Sequence, residues 1–116
     1  LACNRLQELP EALGELKKLK GTRLHQNKLK ALPENIGNLG NLEEMTLYQN
    51  DLATLPPSFG NLKKLKKLNL AWNQFEQCPA VIGGLPNLEW FGFYYNPVRG
   101  SVSGLEFIKD VVLEKN

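Results

Sequence analysis

Apolar and polar residues alternate along this chain on a fixed frame of 23 residues. Asn stands at 4, 27, 50, 73 and 96, and counting each Asn as zero aligns everything else. Two places on come Leu6, Leu29, Leu52 and Phe75, and five places on come Leu9, Leu32, Leu55 and Cys78. A Pro follows in every unit: Pro10, Pro33, Pro56 and Pro79. Nine, twelve and fifteen places on are again apolar, as in Ile36, Leu39 and Leu42. The last two apolar columns fall on alternate residues, Thr22/Leu24, Met45/Leu47, Leu68/Leu70 and Phe91/Phe93. Four full units result, 4–26, 27–49, 50–72 and 73–95, after a partial unit 1–3.

Alternation with period two predicts one short strand per unit with one face buried. The remaining apolar columns cannot be buried within a unit of this size. They must stack on the same columns of the next unit, which makes a continuous core. Pro ends the segment before it by fixing φ and lacking an N–H. The Gly ten places on (Gly14, Gly37, Gly60, Gly83) suits a positive-φ turn or a close backbone approach. The Asn amide can both donate and accept where the chain leaves the strand and no sheet satisfies its backbone.

Residues 39–61, LGNLEEMTLYQNDLATLPPSFGN, resemble the leucine-rich repeat family in its form LxxLxxLxLxxNxLxxLPxxIGx. Bacterial leucine-rich repeat proteins and the Ras-group and Roco repeat regions are similar. The resemblance implies an α/β fold: a right-handed solenoid with a concave parallel β-sheet and short helical or irregular convex segments. It also implies protein recognition on the concave sheet.

The ends depart from the frame. Leu1-Ala2-Cys3 reads as the tail of an earlier unit, so the expectation is an uncapped N-terminal end able to associate with another copy. Residues 1–96 form the repeat region and 97–116 a C-terminal cap. Ser103 and Glu106 fit a capping box, and Leu105, Ile108 and Val112 fit one helical face, so the spacing predicts a helix near 104–114. A degenerate fifth repeat is the other reading of the same residues.

Composition narrows the chemistry. Fourteen Lys and Arg against twelve Asp and Glu leave a net charge of +2, which points to neither nucleic acid nor membrane as partner. Lys20, Glu43, Lys66 and Glu89 alternate in sign down one column, a compensating ladder rather than a basic patch. One His and two Cys cannot furnish a His/Cys zinc site. No phosphate-binding loop, dinucleotide fingerprint or HExxH pattern occurs, so no catalytic residue, cofactor or metal is expected. Cys78 fills a core column as a small hydrophobe, whereas Cys3 falls in a solvent column. No signal-like stretch opens the sequence, which tilts the expected setting toward the cytoplasm.

The outward strand columns carry the clearest signal. They hold every Trp and Tyr of the chain: Tyr48, Trp72, Trp90, Tyr94 and Tyr95. The repeating core columns hold none. Rings of this kind anchor interfaces when they face water. Gly92 between Trp90 and Tyr94 is expected to leave a gap with aromatic walls. Trp90 and Tyr94 are therefore the expected anchors, with Tyr95, Trp72 and Tyr48 in support. Asn69, Arg23 and His25 add polar contacts. The expected function is non-enzymatic binding of a protein or peptide. The rivals are a targeting segment of a larger enzyme (a GTPase or ubiquitin ligase) and a self-assembling structural repeat.

Overall fold

A computed structural model of the chain describes residues 9, 11–99, 105, 108 and 110–112. Five three-residue strands make one parallel sheet: β1 (Gly21–Arg23), β2 (Glu44–Thr46), β3 (Lys67–Asn69), β4 (Trp90–Gly92) and β5 (Asp110–Val112). Spatial order follows chain order, β1 to β5. The first four pair in repeat register, Thr22 beside Met45, Met45 beside Leu68, and Leu68 beside Phe91. The ladder runs past the short strands, with Leu24 N–H donating to Thr46 O at 2.8 Å and Gln26 N–H to Tyr48 O at 2.9 Å.

The return path is built from 3-10 turns: η1 (Glu11–Glu15), η2 (Ile36–Asn38), η3 (Pro57–Asn61) and η4 (Ala80–Gly84). Proline starts η3 and η4. Pro56 and Pro79, at φ −67 and −59, offer carbonyls that accept from Phe59 N–H and Ile82 N–H three residues on. Close approach explains Gly37, where a Cβ would overlap the Ser58 backbone, but not Gly60 of the same column, where a Cβ would meet open space. Positive φ falls elsewhere. Gln26, Gln49, Trp72 and Tyr95, the residues just before each Asn, sit at φ 56 to 59. Four non-glycine residues thus hold the left-handed region, at roughly 1 kcal/mol each.

The Asn column offsets that strain. Asn50 Oδ1 accepts from Leu29 N–H at 3.1 Å, and its Nδ2 donates to Leu24 O and Leu47 O, both at 2.9 Å. Asn73 and Asn96 repeat the pattern one and two units on. Each amide therefore ties its own unit to the backbone of the preceding one. Between sheet and return lie the stacked Leu, Ile and Phe columns, buried from Leu29 to Phe91 except at the half-buried Leu55. Phe75, Phe91 and Phe93 form a ring cluster at centroid separations of 5.3–5.5 Å.

Two expectations change at the ends. The helix near 104–114 is replaced over Asp110–Val112 by β5, which pairs Val111 with Phe91. Leu105, Ile108 and Val111 lie twenty residues after Leu85, Leu88 and Phe91, so they continue the apolar columns with a turn three residues shorter. Leu105 and Ile108 are buried accordingly. The capping box at Ser103 and Glu106 lies outside the described residues, as do the partial unit 1–3 and Cys3. At the other end, Leu16 is 53% exposed, whereas its equivalents Leu39, Leu62 and Leu85 are at 0%. Thr22, in an inward column, keeps its Oγ1 buried with no hydrogen-bond partner among the described residues.

Candidate functional site: an aromatic concave face

The residues that alternate with the buried strand positions face the concave side. Here the structure brings together two groups of rings. On the N-terminal strands, His25 and Tyr48 stack with centroids 4.5 Å apart and planes 7° from parallel. On the C-terminal strands, Trp72 lies 4.0 Å from Tyr95, and Tyr95 meets Tyr94 edge-on at 5.6 Å. Trp72 and Tyr95 are both positive-φ residues, and that kink turns their rings off the strand into solvent, 46% and 51% exposed.

Trp90 behaves differently. Its indole folds over Gly92, so a Cβ at 92 would stand 2.5 Å from Trp90 Cη2. Gly92 is buried and Trp90 partly buried, less exposed than Trp72 and Tyr95. The gap expected at Gly92 is thus filled by the neighbouring ring, because a residue without a side chain offers the nearest apolar surface to an indole two places away. Asn69 sits against this contact, and its Oδ1 accepts from Ala71 N–H at 3.0 Å. Arg23 is exposed on β1, apart from the ring clusters.

Two depressions flank Asn69. One, of ≈ 260 Å³, is lined by Glu44, Thr46, Lys67, Asn69 and Trp90, with Met45 and Leu68 beneath. The other, of ≈ 330 Å³, is lined by Tyr48, Gln49, Asn69, Trp72 and Tyr94. Gln49 is the lining residue sequence reasoning missed. Its equivalence to Trp72 and Tyr95 in the repeat frame was the available signal. Glu44 and Lys67 stand opposite each other in register, so the charge of the first depression is internally compensated.

A larger depression of ≈ 710 Å³ lies away from this face, lined by residues 53–55, 74 and 76–81, and Arg99, and contains no aromatic ring. Cys78 borders it half-buried, not buried as expected, as is Leu55 in the same column of the preceding unit. Burial pushes the Cys78 thiol up to about 11. That suppresses the thiolate a nucleophile needs.

Among the described residues no group of His, Cys, Asp and Glu could hold a metal, and no helix is long and apolar enough to cross a membrane. The concave face offers ring faces, amide groups and hydroxyls: the chemistry of recognition.

A family model described as a leucine-rich repeat region matches residues 2–109. No curated protein matches the sequence. Among solved structures, a leucine-rich repeat protein of Leptospira interrogans is 33% identical with a TM-score of 0.90, over 95% of this chain and 29% of that one. PEPR1-AtPEP1 is 26% identical with a TM-score of 0.82, over 97% of this chain and 17% of that one. An internalin (inlF) of Listeria monocytogenes shares the fold at 21% identity and a TM-score of 0.76, over 90% and 31%. The chain spans less than a third of each of these structures, whose fold commonly serves as a protein–protein interaction module. With its repeat frame, parallel sheet and Asn column, the chain belongs to the leucine-rich repeat family.

Proposed function

We propose that this chain is a non-enzymatic binding module that takes a protein or peptide on its concave sheet. One observation carries the reading. All five Trp and Tyr residues lie on the outward columns, and Trp72 and Tyr95 are about half exposed as a contacting pair. Exposed rings held in place by one another lose little entropy on binding, which is what interface anchors require. Tyr94, Tyr48 and Trp90 extend the patch, and Asn69, Arg23 and His25 supply its polar contacts. Five strands at about 4.8 Å span about 20 Å, the scale of a peptide or a single helix.

The test is capture of partners by the folded chain, compared with a Trp72→Ala/Tyr95→Ala variant and with Trp90→Ala/Tyr94→Ala. A partner retained by the wild type and lost by these variants, all with native circular dichroism, supports the concave site. Equal capture by all three places binding elsewhere and refutes it. Self-association through the exposed Leu16 is a second reading. A molecular mass that rises with concentration and falls back in Leu16→Glu is its signature.

A further inference from the structure

Resting on that reading, we propose that the concave face seats a second copy of this chain, turned about a two-fold axis that runs along the strands between β2 and β3. The turn lays β1 of each copy over β4 of the other, and β2 over β3. The outward charges select this placement. From β1 to β5 the first outward column reads Gly21, Glu44, Lys67, Trp90 and Asp110, with Glu44 and Lys67 exposed. The turn sets Glu44 of each copy on Lys67 of the other. Glu44 and Lys67 are already neighbours in register within each copy. The four charges therefore alternate around a square, and each has two opposite neighbours. Only two other turns about a strand axis keep four or more strands of each copy in contact. One, on β3, opposes Lys67 to itself. The other, between β3 and β4, opposes Glu44 to Asp110.

The flanking rows agree. Lys20, Glu43, Lys66 and Glu89, one place earlier, reverse into Lys20 on Glu89 and Glu43 on Lys66. Two places after the first column, Thr46 meets Asn69, whose amide has protons to donate to a hydroxyl. Arg23, exposed on β1, meets Gly92 and the indole that covers it, a cation against a ring. Gly21 carries no side chain and leaves room for that indole. Glu44 and Lys67 stand in the middle, where two concave faces are furthest apart and long side chains are needed to bridge them. Four short strands on four make a contact below the roughly 1,200 Å² of standard interfaces, so a weak, exchanging dimer is expected.

The test follows the mass of the whole chain by sedimentation equilibrium up to about 1 mM, where a rise from one chain to two is expected. Salt at about 0.5 M should weaken the dimer several-fold. Glu44→Lys alone and Lys67→Glu alone each oppose like charges across the axis and should weaken it at least about tenfold, with native circular dichroism. Mixed in equal amounts, the two variants should pair at least as tightly as the wild type, because each Lys of one copy then faces a Glu of the other. A change in folding could not be rescued by mixing. A chain that stays monomeric, a dimer indifferent to both variants, or variants that do not pair on mixing overturns the proposal. So does a rise in mass that is lost in Leu16→Glu instead. Capture of a different protein through Trp72 and Tyr95 would survive each of these failures, so the two readings fail separately.

Discussion

The indole of Trp90 lies over Gly92, its neighbour two residues along β4, where any Cβ would collide with the ring tip. The two residues form one surface, with the absent side chain of one occupied by the other. Gly92→Ala should displace the indole at about 1 kcal/mol, because the colliding atoms are the far end of a movable side chain. A red shift of tryptophan emission with a native far-UV spectrum is the expected readout. An unchanged emission spectrum would mean that the ring does not rest on Gly92.

Asn73 accepts from Leu52 N–H at 3.0 Å and donates to Leu47 O, Leu70 O and Ala71 O. Asn73→Ala leaves these buried groups without their partner, and about 3 kcal/mol of stability should be lost in urea titration. Asn73→Asp should fare little better, since a carboxylate cannot donate. A loss below about 1 kcal/mol would show that water replaces the amide.

Thr22 stands where the other units place Met45, Leu68 and Phe91, and its buried Oγ1 has no hydrogen-bond partner among the described residues. Thr22→Val keeps the shape and removes the hydroxyl. It should raise stability by about 1 kcal/mol, seen as a higher urea midpoint with unchanged slope.

Cys78 has its thiol pushed up from 9.0 to about 11 by burial. At pH 8 its thiolate fraction should be about a hundredfold below that of an unperturbed thiol. Iodoacetamide labelling, mapped by mass spectrometry to separate Cys78 from Cys3, should be correspondingly slow. The stability effect runs one way. The unfolded thiol loses its proton first, so folding weakens as pH rises from about 9 to 11 and is unaffected below that window. Cys78→Ser should remove this alkaline slope.

The sheet and its stacked core were legible because one frame repeats, so every column is seen several times. The C-terminal turn was not, because Leu105 and Ile108 fit a helical face completed by Val112 and a repeat turn completed by Val111 equally well. Only pairing with Phe91 separates the two. The positive-φ positions escaped for a similar reason. They are occupied by Gln26, Gln49, Trp72 and Tyr95, and no glycine marks them. Alternation sets Tyr48, Trp90 and Tyr94 opposite the buried strand positions, but Trp72 and Tyr95 turn outward through their positive-φ kink, and the ring groupings had no signal in the spacing. Whether Trp90 leans on Gly92 or stands free depends on rotamers that no spacing encodes.

The Asn column has a mechanical meaning. Asn50, Asn73 and Asn96 each fasten one 23-residue turn to the turn before it through side-chain bonds to its backbone. Pulled by its ends, such a chain yields link by link, each link releasing about 80 Å of contour at about 3.5 Å per residue. The amide adds to the sheet ladder and the stacked core that join the same two turns, so all three share the force that opens each link.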